Sequence, residues 1–466
     1  MKENHSFCVH AHFYQPPRED PFTGQIPDEP GAAPYRNWNE QILATCYQPN
    51  SELRNFSRIS YNIGPTLVEW MKRKSPETLA TIVREDSLNQ AIYGSGNAMA
   101  QAYHHSILPL LTKEDMQTQI KWGIAAFTSL FKRAPEGMWL PETAVNTDVL
   151  LALSENGIRF TILAPWQVEV EQGHSPCRID LENGKSIYVF VYHGGLSSTM
   201  SFDTFATGNA DSFAEFYLKP EVDPYQPDQC LMIATDGELY GHHQPFRDQF
   251  LAHLLNGSTG KIGMRPTWPG LWLKQNSVHD RGKIVENTSW SCHHGVARWK
   301  EECACSLGAS WKKYFKQALD SLNQVIYADF SSLCNRFGID PVEARNEFIH
   351  VTLGEIQFAE WIQTRAARVL NDAELENLNK AFQAQFACQE MFTSCAWFHG
   401  SLSRIEPRNN LSYAAHATFL MNQVTGKDYT TDILPELRQA INLTNGENAA
   451  DTFLAAINRF AAPQTG

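Results

Sequence analysis

Three short stretches of this sequence concentrate residue types that do chemistry. His10-Ala11-His12 sets two imidazoles two residues apart in an apolar run, so on a strand both project from one face, near its C-terminal end. Such a pair can ligate a metal, can donate to a polar ligand, or can be two satisfied histidines in a sheet. Gly137-Met138-Trp139-Leu140-Pro141-Glu142-Thr143 places a carboxylate directly after a proline, between an apolar run and a helix that starts near Thr147. Cys230-Leu-Met-Ile-Ala-Thr235 is an apolar strand that runs into Asp236-Gly237-Glu238-Leu239-Tyr240-Gly241-His242-His243. Two carboxylates at the C-terminal ends of two strands suit the cleavage of a glycosidic bond with retention. One attacks the anomeric carbon, and the other, its pKa raised by its surroundings, protonates the leaving oxygen and later activates water, at a separation of about 5 Å. Plain turn chemistry for Asp-Gly and a helix-cap role for Glu142 are the structural alternatives.

A second chemistry uses overlapping residues. His10, His12, His193 and Asp236 could ligate one divalent ion that activates water, as in metal-dependent hydrolases and deacetylases on similar barrels. Cys292, Cys303 and Cys305, beside His293 and His294, form the one place where a structural metal is thinkable. Cys-x10-Cys-x-Cys is not a standard zinc-ligand spacing, so we read these as reduced thiols in a loop and expect neither metal nor cofactor.

The elements that position these residues alternate. Strands are expected at Phe7 to His12, Ile158 to Ala164, Ser186 to Tyr192 and Cys230 to Thr235, and helices at Gly64 to Lys74, Lys113 to Phe131 and Thr147 to Asn156. That alternation implies βα units and a mostly parallel sheet, which keeps its site at the strands' C-terminal ends. Gln15 to Asn39, rich in Pro, Gly and Asp, reads as a long functional loop, and 256 to 288 as a connector. Beyond it the period changes. Trp311, Phe315, Leu319, Leu322 and Ile326 recur at helical spacing, as do Leu375, Leu378, Phe382 and Phe386.

Composition limits the partners. In 466 residues, 38 Lys and Arg stand against 51 Asp and Glu, a net charge of −13 that repels phosphate backbones and anionic lipid. Neither a nucleic acid nor a membrane partner is expected. No run approaches a membrane span, and ten cysteines without an apolar leader suit reduced thiols in the cytoplasm. The 12 Trp, 15 Tyr and 26 Phe supply rings for cores and for sugar-type ligands alike.

His-x-His with Gln-Pro soon after it, Trp-Leu-Pro-Glu, and Asp-Gly-Glu followed by an aromatic and Gly resemble the ordered motifs of glycoside hydrolase family 57. That family includes α-amylases, 4-α-glucanotransferases, branching enzymes, amylopullulanases and α-galactosidases. Tyr61-Asn-Ile-Gly-Pro-Thr-Leu, Tyr93-Gly-Ser-Gly-Asn-Ala-Met-Ala-Gln-Ala-Tyr-His-His and Ser291-Cys-His-His-Gly-Val-Ala-Arg-Trp are similar to one bacterial branch of it. The resemblance covers most of residues 7 to 300 and implies a (β/α)7 barrel over 1–290, followed by an α-helical domain over 291–466. It implies Glu142 as nucleophile and Asp236 as general acid/base, acting on an α-linked glucan or oligosaccharide. His10 and His12 become hydroxyl-binding residues, with Gln15, His104, Trp139, Glu238, His242 and Trp397 as candidates for the sugar pocket, and Asn62 and Asn97 as further polar groups that turn formation explains equally well. Two departures stand out. Phe13 and Tyr14 separate His12 from Gln15, and Ala396 to Ser401 lacks the acid that relatives place there, the next being Glu406.

Overall fold

The computed structural model describes residues 5–171, 175–223 and 229–462. The chain forms two compact units, one of Met1–Gln15, Asp28–Ala102 and Phe127–Trp290, the other of Pro16–Pro27, Tyr103–Ala126 and Ser291–Gly466. Two segments from within the first 290 residues thus cluster with the second unit. Long-range ion pairs hold them there: Asp115 with Arg345 at 2.8 Å and Asp20 with Arg459 at 3.0 Å.

Among the described residues, the first unit is built on eleven strands: β1 (His5–Phe13), β2 (Ser60–Ile63), β3 (Ala98–Gln101), β4 (Met138–Trp139), β5 (Phe160–Leu163), β6 (Val168–Val170), β7 (Cys177–Asp180), β8 (Ser186–Val191), β9 (Cys230–Asp236), β10 (Met264–Pro266) and β11 (Asp280–Ile284). Strand β1 is central. One edge pairs in parallel with β9 from Ser6 to His12, and the other takes β10 near its start and β2 near its end. Parallel pairing continues from β2 to β3 and β4, and from β5 to β8. A bridge between Gly137 and Phe160 joins β4 to β5, and the His193 amide donates to the Met232 carbonyl at 2.7 Å to join β8 to β9. The ring β1-β2-β3-β4-β5-β8-β9 is therefore a seven-stranded parallel barrel, the expected (β/α)7 class. Helices such as Pro65–Lys74, Pro76–Tyr93 and Thr147–Glu155 lie between its strands in sequence.

Sequence patterning accounts for part of this. β1 and β9 are apolar and almost wholly buried, so they read as strands without alternation. The 256–288 segment is more ordered than a connector, since it carries β10, the helix Pro269–Gln275 and β11. Inside the ring Cys8, Met99, Trp139, Phe160, Phe190, Met232 and Ala234 form one buried cluster. Gly237 follows β9 because no side chain fits there: a Cβ would lie 2.3 Å from the Phe13 ring.

The second unit is helical. Trp311–Arg336, Asp372–Glu390, Ile405–Thr425 and Ala449–Ala461 are its longer helices. Trp311, Phe315, Leu319, Leu322 and Ile326 are all buried, so the apolar stripe read from the sequence is the packed face, and Phe330 meets Phe382 edge-on at 4.9 Å. Asn371 and Glu374 close a reciprocal capping box at the start of Asp372–Glu390.

Candidate active site

Strand register brings His12, Asn62 and Asp236 level with one another, with Gln101 two residues beyond Met99, the β3 partner of Asn62. His12 is the pairing partner of Asp236 on β9 and of Asn62 on β2, and Gln101 on β3 pairs with Trp139 on β4. Pro141 then turns the chain out of β4, and Glu142 follows with φ 57°, ψ 21°, in the left-handed region. A β-carbon-bearing residue in that region costs about 1–2 kcal/mol, a strain that clusters at functional sites. The half-buried Glu142 is fixed from two sides, because the Trp290 backbone donates to its carbonyl and Trp290 Nε1 donates to its Oε2, each at 3.1 Å.

Asp236 ends β9 as the one exposed residue of a buried strand. Solvent reaches it, yet it is crowded enough by protein that loss of hydration, reinforced by the charge of Glu142, raises its carboxyl to about 7. A carboxyl that feels the charge of Glu142 and can hold a proton at neutral pH has the protonation state that a general acid requires.

The two β1 histidines are neutral and anchored. His10 is fully buried, with Nδ1 on Ser60 Oγ at 2.9 Å and Nε2 on Asn62 Oδ1 at 3.2 Å; burial and the neighbouring His12 lower its pKa to about 3. His12, likewise held near 4 by burial, meets Asn62 through Nδ1, and Asn62 in turn donates to Gln101 at 2.7 Å. Both imidazoles stack on Trp139, at 4.6 and 5.1 Å between ring centres. Of the three readings of His-x-His, the satisfied pair thus describes His10. The other metal ligands proposed with it are also engaged: His193 Nδ1 accepts from the Leu196 amide at the start of Gly194–Phe202, and Nε2 meets Glu221. Among the described residues these groups do not converge on a common point.

Several pocket candidates have other positions. Trp139 is fully buried beneath the two histidines, so its faces support imidazoles and are closed to a sugar. Glu238 is buried, and its Oε1 accepts from the Tyr14 amide at 3.1 Å and the Tyr47 hydroxyl at 2.8 Å; burial, with Asp236 nearby, raises its pKa to about 8. It anchors the chain that leaves β1. Gln15 belongs to the same anchor, since its side chain bonds Tyr47 and its carbonyl accepts from Thr66 at 2.7 Å. His242 sits against Trp38 and Thr45. Asn97 is a turn residue, its amide donating to the Phe56 and Ile59 carbonyls. In the second unit, His104 is enclosed by Tyr103, Trp122 and Phe386, with Nδ1 taking a hydrogen bond from Gln119. Trp397, 2% exposed, packs on Phe315 and has no open face for a sugar. Glu406 is paired with Arg404.

The sequence reading did not single out Trp290 or Gln101. Trp290 reaches Glu142 across 148 residues, a distance no local motif encodes, although it directly precedes the Ser291-Cys-His-His stretch.

The anchoring role of Glu238 has a measurable consequence. Glu238→Leu orphans two buried donors and is expected to cost about 3 kcal/mol, whereas Glu238→Gln keeps the acceptor and stays within about 1 kcal/mol of wild type in urea unfolding. Equal losses in both variants would contradict the anchor.

A sequence profile described as glycosyl hydrolase family 57 matches residues 4–261, more than half of the chain. The chain belongs to glycosyl hydrolase family 57. A domain of unknown function, DUF3536, matches residues 309–463. The fold agrees with that of several solved structures, a family 57 branching enzyme among them. An exo-type maltose-forming amylase from Pyrococcus sp. ST04 matches with TM-score 0.75 at 14% identity, covering 97% of this chain and 88% of the amylase. A family 57 branching enzyme from Pyrococcus horikoshii gives TM-score 0.63 at 13% identity, covering 96% of each chain. A 4-α-glucanotransferase from Thermococcus litoralis gives TM-score 0.57 at 16% identity, covering 90% of this chain and 60% of that one. No curated protein sequence matches this family 57 chain.

Proposed function

We propose that the protein is a retaining glycosidase or transglycosylase of α-linked glucan, with Glu142 as nucleophile and Asp236 as general acid/base. The observation that carries this reading is the Asp236 carboxyl, raised to about 7 by loss of hydration and by Glu142, at the open end of a barrel strand. An amylase, a branching enzyme and a glucanotransferase among the similar folds support α-glucan as the substrate class.

In the first step the Glu142 carboxylate attacks the anomeric carbon as the glycosidic C–O bond breaks, and the leaving oxygen takes the Asp236 proton. In the second, Asp236 removes a proton from water or a sugar hydroxyl, whose oxygen displaces Glu142 from the same carbon. Trp290 Nε1 holds the attacking carboxylate in its orientation. His12, in register with Asp236, offers a neutral polar group to the sugar beside it, and Asn62 holds its ring in place. His10 is a positioning residue that supports them from below. A neutral ligand leaves the charge of −13 without a role in recognition. No disulfide joins cysteines among the described residues, in keeping with a reducing setting. No helix among the described residues is long and apolar enough to cross a membrane.

The test is incubation with amylose, maltooligosaccharides and branched glucans, with products resolved by chromatography. Shorter sugars identify hydrolysis, a ladder of longer ones identifies transfer, and new branch points identify branching. Unchanged glucans throughout would remove α-glucan as the substrate class.

A further inference from the structure

Four potential metal ligands converge in the second unit, in a segment that the sugar chemistry does not use. Cys292 Sγ lies 3.9 Å from both Cys303 Sγ and Cys305 Sγ and 3.8 Å from His294 Nδ1, and Cys305 Sγ lies 3.5 Å from that nitrogen. All four ligand atoms fall within 4.8 Å of one another. These separations are too long for any disulfide, whose sulfurs bond at about 2.05 Å. The four separations of 3.5 to 3.9 Å match edges of a tetrahedron. A zinc ion bound at about 2.3 Å by sulfur and about 2.1 Å by nitrogen sets sulfur atoms about 3.8 Å apart, and sulfur and nitrogen about 3.6 Å apart.

The backbone supports that arrangement from both ends. Gly295, at φ 69°, donates to the Cys292 carbonyl at 3.1 Å, and Ser306 donates to the Cys303 carbonyl at 2.8 Å, so each ligand pair, Cys-x-His and Cys-x-Cys, sits in a tight turn. Charge is complementary as well. Three thiolates and one neutral imidazole around a divalent ion leave one negative charge. The fully buried Lys312, whose ammonium donates to Ser306 Oγ at 2.9 Å, lies within electrostatic reach of Cys292 and Cys303.

We propose that Cys292, His294, Cys303 and Cys305 bind one structural Zn2+, with His294 ligating through Nδ1. Binding displaces the three thiol protons to solvent and leaves no position for water, so the ion staples the 292–306 loop and takes no part in glycosyl transfer. The spacing Cys-x-His-x8-Cys-x-Cys hides the site from linear pattern reading, because the second turn must fold back onto the first to complete it.

Full-length protein from zinc-supplemented culture, purified with reductant, is expected to hold about one zinc per chain by elemental analysis. Cys305→Ser and His294→Ala should each lose at least about 90% of it and unfold at lower temperature, whereas Glu142→Gln keeps it. Should the variants fail to fold, wild type suffices: mercurial titration of three thiols should release the zinc, and Co2+ loaded in its place should show a thiolate-to-cobalt charge-transfer band. Zinc retained in both variants would overturn the proposal, as would wild type with neither bound zinc nor that band on adding Co2+.

Discussion

Glu142→Gln is expected to lower kcat on α-glucan by about 10⁴-fold or more while leaving the dissociation constant for a maltooligosaccharide within about threefold. The amide keeps the volume and can still meet Trp290 Nε1 through its oxygen, so the fold around β4 is preserved; what disappears is the anionic oxygen that must form the bond to the anomeric carbon. Removing an attacking group that works in concert with a second residue costs nearly the whole chemical advantage of the pair. Calorimetric titration beside turnover assays separates the two quantities. Activity within tenfold of wild type would show that another group attacks, and weakened binding with normal turnover would make Glu142 a substrate contact only.

Asp236→Asn is expected to cost about 10²–10⁴-fold on ordinary glucans, the usual worth of a positioned acid. Substrates with a good leaving group, such as a glycosyl fluoride, should lose far less in bond breaking, because departing fluoride needs little protonation. The pH profile carries the same signature. Asp236 gives its proton only while protonated, and its pKa is raised to about 7, so wild-type kcat/KM on glucan should fall as pH rises past about 7. That limb should vanish in the variant. Stability runs in parallel. The folded carboxyl keeps its proton up to about pH 7, whereas an unfolded aspartate releases it near 3.9, so wild type loses stability as pH climbs between those values. Asp236→Asn should therefore melt higher than wild type at pH 8 and alike at pH 3.5. An unshifted alkaline limb would contradict the assignment.

How legible these residues were depended on what holds them. β1 and β9 announce themselves as apolar runs ending in polar clusters, and the Trp311 to Ile326 stripe as a helix, because burial of those residues is the local pattern. β2, β3 and β4 are two to four residues long and carry Asn62, Gln101 and Trp139 into the barrel, so their polar and aromatic content gives no strand period. The carboxylates could be named from their place after strands, but their environment could not. An aromatic beside a candidate catalytic carboxylate reads as a sugar platform; Trp139 is instead roofed by two imidazoles, and Trp290 touches the Glu142 carboxylate. His104 and Trp397 looked like pocket residues because they sit near motif segments, yet each satisfies an aromatic cluster of the second unit. The Cys292 cluster was visible as cysteines but not as four ligands, since the fold-back of the loop decides which atoms meet.

Covalent trapping tests the central claim most directly. Asp236→Asn, given an α-maltosyl fluoride and quenched during turnover, should accumulate a glycosyl ester, because fluoride leaves unaided while the ester waits for a base to activate water. Peptide mass spectrometry is predicted to find the added sugar on Glu142. An adduct on another carboxylate, or release of fluoride with no adduct at any residue, would contradict it.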